Sequence, residues 1–133
     1  MQARSPRGRT RTSVACVSRG APLSIRAIEV MGLIGIAFWI VTIVRSVLED
    51  AGNALGVLLV GLVLGGAHAV VTWGARTGSR AYLYAIGFIF VGDLLLALFV
   101  DAQAFALVAF TLVLGMLAAT PSARAWLRDP VQG

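Results

Sequence analysis

The chain has 133 residues, 59% of them hydrophobic and 13% charged, with a mean hydropathy of +0.89 and a formal net charge of +5. A soluble domain is usually about half apolar and about a quarter charged, and one this small could not bury so much apolar surface. The composition therefore excludes an ordinary soluble domain and indicates an integral membrane protein.

Two apolar segments in the first half of the chain are each long enough to cross a bilayer, for which roughly 20 residues are needed. The first covers residues 25–48 and carries Glu29 close to its start. The second covers residues 54–74, contains His68, and has Asn53 as a predicted N-cap. Both are predicted to be transmembrane helices.

Two further apolar segments follow in the second half. Residues 81–99 form the third, which is preceded by Ser79 as a predicted cap and interrupted by Asp93. Residues 104–120 form the fourth, and Pro121 ends it because proline does not continue a helix. The predicted fold class is therefore all-α, an integral membrane bundle of four transmembrane helices.

Composition divides the chain into three parts. Residues 1–24 are a basic tail, predicted to be disordered and cytoplasmic, residues 25–120 form the four-helix transmembrane domain, and residues 121–133 form a short cytoplasmic tail. This last part is predicted to contain an interfacial helix with Trp126 and Leu127 toward the lipid. Within the transmembrane domain, EDAGNALGVLLVGLVLG resembles VDAQAFALVAFTLVLG, which leaves open that the bundle consists of two repeated αα-hairpins.

The distribution of arginine predicts the orientation. All eleven basic residues are arginines, and all but Arg45 lie before or at the start of the first span, between the second and third, or after the fourth. Because cytoplasmic flanks carry an excess of Lys and Arg, both termini are predicted to be cytoplasmic, in a multi-pass protein of the plasma membrane. The opposite loops carry Glu49, Asp50 and Asp101. Arg45 is expected to pair with Glu49 one turn further on.

The contacts expected at the cytoplasmic face are with lipid. Anionic headgroups suit the exposed arginines. The basic tail has no aromatic residues that could stack on bases, so no nucleic-acid partner is predicted. Four aromatic residues are expected in the headgroup zone of this face: Trp73, Tyr82, Tyr84 and Trp126.

Alternatives stay open for the basic tail. With no acidic residue before Glu29 and many Arg and Ser, it resembles an organelle transit peptide, which would place the protein in an organelle membrane. Translation could also start further in, for example at Met31. Cys16 is the only cysteine, so no intramolecular disulfide forms, and its SVAC context lacks the apolar segment that precedes a lipoprotein cysteine.

Small residues indicate where helices touch. Gly61 and Gly65 form a GxxxG pattern on the second span, on the stripe that also carries His68. Such a groove lets another helix approach closely. We expect it to pack inside the bundle, with a homodimer face as the alternative, and we expect His68 to face protein rather than lipid.

Residues that could carry chemistry are few. The sequence has no paired carboxylates within a span, no Ser-His-acid arrangement and no phosphate loop, so neither an enzyme nor a metal or cofactor site is predicted. The candidate intramembrane polar residues are Glu29, His68 and Asp93, at depths of about 6, 9 and 18 Å from the cytoplasmic helix ends at about 1.5 Å per residue. These depths predict that His68 contacts Glu29 rather than Asp93. Asp93 is expected to hydrogen-bond inside the bundle, with a proton relay or ion site as the alternative.

A resemblance to a known family rests on two short segments. IEVMG around Glu29 resembles the helix-1 glutamate context of the small multidrug resistance transporters, and YAIGFIF with Tyr84 is similar to their aromatic helix-3 motif. The resemblance implies four short helices and proton-coupled transport. The chain departs from that family in the position of Glu29 near a helix end, in the missing helix-3 tryptophan and in its strong arginine bias.

The predicted function is that of a small, non-enzymatic membrane protein that is structural or accessory to another membrane protein. A small proton-coupled transporter or channel is the alternative. The two differ in their polar groups, since a transporter should hold several of them around a common cavity, whereas an accessory bundle needs only one or two that are satisfied.

Overall fold

The computed structural model describes residues 20–49 and 51–128, and every regular element in these ranges is helical. The predictions that concern residues 1–19, including Cys16 and the transit peptide, lie outside the described residues. The described elements are α1 (Leu23–Glu49), α2 (Ala54–Thr77), α3 (Ala81–Phe99), a 3-10 turn (Ala102–Ala104), α4 (Phe105–Ala118) and α5 (Pro121–Arg128).

The helices confirm an all-α chain, and three of them, or up to four, are long and apolar enough to cross a membrane. α1, α2 and α3 are each long and apolar enough to span a bilayer. α4 has 14 residues, which at about 1.5 Å per residue makes it about 21 Å long against a hydrocarbon layer of about 30 Å. α4 with its preceding turn meets the same criterion only together with α5, from which it is bent by 62°. The fourth crossing stays a prediction, as does the origin of the helices in two repeated hairpins.

The four long helices form a ring. Each packs against the next along the chain, and α4 also contacts α1. We call the end of the ring at which α1 begins and α2 leads into α3 the arginine end, because Arg26, Arg76 and Arg80 lie there. The opposite end, with Glu49 and Asp101, is the acidic end.

The hydrophobic core fills the half of the ring nearer the arginine end. Between helices in a bilayer, such contacts stabilise through close packing rather than through the exclusion of water. Apart from Ala123 of α5, the core residues come from the first halves of α1 and α3 and the second halves of α2 and α4: Ile25, Ile28, Val71, Ala75, Tyr82, Ala85, Ile86, Ile89, Leu114 and Ala118.

Glycines bring α1 and α2 together. Gly61 of α2 lies against the side chains of Trp39 and Ile43, and Gly65 lies against Trp39. A Cβ at Gly61 would stand 2.7 Å from the Ile43 side chain, so even an alanine would force a shift there. The GxxxG pair therefore packs inside the chain, against α1.

The ends of α2 and α3 follow local hydrogen bonding. Asn53 occupies the predicted N-cap position of α2, although its backbone is already helical (φ −100°, ψ −4°) and its side chain makes no capping hydrogen bond. The N-cap of α3 is Arg80 rather than the predicted Ser79, and the Ser79 hydroxyl accepts from the backbone N–H of Ala81 at 3.3 Å. Gly78 ends α2 in the left-handed region with φ 67°, and its N–H donates to the Gly74 carbonyl.

Two of the four aromatic residues expected in the headgroup zone pack inside the protein. Tyr82 is fully buried in the core, because Gly74 of α2 leaves room for the start of its side chain. Trp126 of α5 is only half-exposed, and its Nε1 donates to the Ala75 carbonyl at 3.1 Å. The prediction that Trp126 and Leu127 face the lipid is therefore wrong, since both pack against the hydrophobic core.

Candidate functional site

A carboxylate–hydroxyl pair connects α3 to α4 inside the bundle. The Asp93 side chain is 2% exposed, and the Thr111 hydroxyl donates to its Oδ2 over 2.5 Å. Thr111 Oγ1 also lies 3.0 Å from the backbone carbonyl oxygen of Leu107. A carboxylate without a partner is costly in the apolar part of a bilayer, and the Thr111 hydroxyl reduces that cost.

His68 is turned into the bundle from α2. The residue is 3% exposed, and its Nδ1 lies 2.8 Å from the backbone carbonyl oxygen of Leu64. A carbonyl oxygen only accepts, so Nδ1 carries a proton and Nε2 of the neutral ring is left as an acceptor. Gly35 of α1 makes room for the imidazole, because a Cβ at that position would overlap Cδ2 and Nε2.

Both ionisable side chains line one cavity, which we call the inner cavity. Its volume is about 190 Å³, and its walls come from α1, α2, α3 and α4. The space is below the roughly 300 Å³ of a small drug-sized pocket but large enough for several water molecules of about 30 Å³ each. Its remaining walls are apolar and include three aromatic residues: Phe38, Trp39 and Phe110.

A second cavity, the outer cavity, lies beside the inner one and toward the acidic end. Its volume is about 480 Å³. Its walls include three polar side chains, those of Thr42, Asp101 and Gln103, and the last two are exposed. Four residues line both cavities, which shows that the two spaces adjoin: Phe38, Trp39, Ala106 and Leu107.

Glu29, the third candidate residue, lies apart from both cavities. Its carboxylate accepts from the Arg76 guanidinium, with Nε and a terminal nitrogen each 2.5 Å from Oε1. The predicted contact between His68 and Glu29 is wrong. α2 extends to Thr77 rather than to residue 74, which places His68 about 14 Å from the helix end at about 1.5 Å per residue. His68 therefore lies closer in depth to Asp93 than the sequence count indicated.

The Arg45–Glu49 pair forms as predicted. The Arg45 guanidinium and the Glu49 carboxylate are 3.1 Å apart, one helical turn from each other on α1. Both side chains are exposed, so the pair contributes little to stability. It marks the acidic end of α1 without taking part in either cavity.

Three residues of the site were not predicted from the sequence. Thr111 is the partner of Asp93, Gly35 makes room for His68, and Trp39 separates the two glycines of α2 from the inner cavity. The sequence could have indicated Thr111 as a partner, because it is the one polar side chain in the α4 sequence FALVAFTLVLGMLA. Gly35 has no sequence feature that distinguishes it from the other glycine of α1.

Comparison with known proteins identifies no relative of this chain. The chain matches no protein-family model, and no curated protein and no solved structure is significantly similar to it.

Proposed function

We propose that the protein is a non-enzymatic, structural or accessory component of the plasma membrane that crosses the bilayer four times. The observation that carries this proposal is that both ionisable side chains of the inner cavity are hydrogen-bonded inside the chain. Asp93 has Thr111 as its partner, and His68 has the Leu64 carbonyl. The first contact joins α4 to α3, the second lies within α2, and neither needs a substrate.

The proposed orientation has both termini in the cytoplasm. The described arginines at the arginine end are all exposed, so they are available to anionic headgroups. Toward the acidic end, Arg45 is the one arginine among the described residues, so the excess of arginine lies at the other end. The arginine residues that support this orientation are Arg26, Arg76, Arg80, Arg124 and Arg128.

The partner of an accessory protein can be sought by crosslinking within the membrane. α1 is the longest helix, and Ile40 and Val44 are exposed on it. A photoreactive amino acid at either position should yield a discrete protein adduct on irradiation in cells. The same group at Val91, an exposed position of α3, is the matched control. Adducts with lipid alone at all three positions would contradict an accessory role through α1.

Proton-coupled transport is the second candidate. One observation favours it, which is that His68 and Asp93 line the same cavity. In proteoliposomes with an imposed pH gradient, a transporter should speed the decay of the gradient. Asp93→Asn should remove this effect while keeping the fold, because the amide still offers an oxygen to Thr111. Equal decay in vesicles with wild-type protein, with the variant and without protein would contradict proton transport.

A further inference from the structure

The two cavities share wall residues, and we call them together the cup. The outer cavity begins at the acidic end beside Asp101 and Gln103, both exposed. The inner cavity forms the base of the cup, where His68 and Asp93 lie. Toward the arginine end, in contrast, the space between the helices is filled by the hydrophobic core.

The arginine end is also held closed by polar contacts between helices. Arg76 of α2 donates to Glu29 of α1, and the Trp126 indole of α5 donates to the Ala75 carbonyl of α2. The hydroxyl groups of Ser24 and Ser122 lie 2.9 Å apart and join α1 to α5. At the cup, the polar contact between helices that the described residues show is the Asp93–Thr111 pair at the base.

Water fits the cup better than a lipid chain does. An acyl chain in the cup would cover Thr42, Asp101 and Gln103 at the mouth and two ionisable groups at the base without offering them a hydrogen bond. Covering polar groups in this way is costly, whereas water can bond to each of them. The polar residues lie at the mouth and at the base of the cup, and the residues shared by the two cavities between them are apolar.

The base of the cup has places for additional protons. Thr111 has one hydroxyl proton but two acceptors in reach, Asp93 Oδ2 at 2.5 Å and the Leu107 carbonyl at 3.0 Å. A proton on Asp93 would serve the first contact and leave the Thr111 hydroxyl to the second. Nε2 of His68 is a further acceptor, since Nδ1 is the nitrogen that donates to Leu64.

We propose that His68 and Asp93 form a proton-binding site that exchanges protons through water with the acidic end of the bundle alone. The site needs no partner protein and no transport to operate. It would make the packing of α4 against α3 respond to the pH on one side of the membrane. It would also be the first half of a transport path if the arginine end opened at another stage.

Among the described residues, no ionisable side chain other than those of His68 and Asp93 lines the inner cavity. α1 contributes only apolar side chains and Gly35 to the inner cavity, α2 contributes His68, and α4 contributes no ionisable group. Asp101 lies at the mouth, in the outer cavity. Glu29 is held by Arg76 at the opposite end.

The proposal can be tested by the reactivity of introduced cysteines in the full chain with Cys16→Ser. Gln103→Cys lies in the exposed turn and defines which vesicle side is the acidic side. Thr42→Cys and Ala106→Cys lie in the wall of the cup. Val41→Cys is the matched control, because Val41 neighbours Thr42 in sequence but is exposed outside the cup. The probe is a charged thiol reagent that does not cross membranes, added to vesicles of either orientation.

We expect both wall cysteines to react from the side that labels Gln103→Cys, roughly tenfold or more faster than Val41→Cys, because a charged reagent enters water and not lipid. No reaction is expected from the other side. Rates equal to that of Val41→Cys, or reaction from both sides, would overturn the one-sided path. If Ala106→Cys fails to give a monodisperse protein, Thr42→Cys carries the same comparison.

Proton binding is read separately, by infrared difference spectra of the reconstituted protein after acidification on the acidic side. We expect a carbonyl stretch of a protonated carboxyl that is missing in Asp93→Asn and shifted in Thr111→Val. A spectrum of Asp93→Asn identical to that of the wild type would overturn the assignment of the site. Neither measurement requires transport or a partner, so the proposal can fail while the accessory role stands, and the reverse.

Discussion

Adding one methyl group at Gly35 should destabilise the protein, although the same change stabilises most helices. The new Cβ would lie 2.6 Å from Cγ of His68 and closer still to Cδ2 and Nε2. The imidazole cannot simply swing away, because Nδ1 is bonded to the Leu64 carbonyl at 2.8 Å. Overpacking typically costs about 1–3 kcal/mol, and losing the hydrogen bond would add about 1 kcal/mol. The gain in helix propensity from Gly to Ala is about 1 kcal/mol.

The net expectation for Gly35→Ala is a loss of about 1–3 kcal/mol. Gly66→Ala on α2 is the matched control, because a Cβ there meets nothing within 4 Å. That variant should be unchanged or more stable by up to about 1 kcal/mol. Stability is measured by denaturant unfolding in detergent micelles. Equal stability of the two variants would refute the close approach of α1 to His68.

Three further substitutions test single contacts by the same unfolding measurement. Thr111→Val should cost about 1–3 kcal/mol, because it removes the partner of a buried carboxyl group, and it should cost clearly less in an Asp93→Ala background. Gly78→Ala should cost about 1 kcal/mol because of its positive φ, and a neutral result would contradict the left-handed end of α2. Trp126→Phe should cost about 1 kcal/mol by removing the donor to the Ala75 carbonyl; no loss would show that α5 is not held there.

Much of the fold could be predicted because apolar length alone decides where a membrane helix lies. The third span was predicted with the bounds that α3 has, Ala81–Phe99. α2 continues three residues beyond its predicted end, because the helix runs past the apolar segment until Gly78 turns the chain. α4 is shorter than predicted, because Ala104 belongs to the 3-10 turn before it and because the helix ends at Ala118, two residues before the predicted end.

The site was predicted less well, since it depends on how helices are rotated and not only on depth. Counting residues gave Asp93 a mid-span position but no partner, because the partner depends on which face of α4 meets α3. Arg76 was predicted only to help set the orientation of the chain in the membrane, yet its guanidinium also pairs with the Glu29 carboxylate. Tyr82 was expected at the interface from its residue type, whereas a neighbouring glycine left room for it to be buried.

The central claim is a bundle of four crossings with both termini in the cytoplasm, and α4 is its least secure part because it is only 14 residues long. Reporter fusions that distinguish the two sides of the membrane test it directly. Fusions after Asn53 and Gln103 should report the outside, and fusions after Gly78 and at Gly133 should report the cytoplasm. A Gly133 fusion that reports the same side as the Gln103 fusion would show that α4 does not cross, and would contradict the four-pass account.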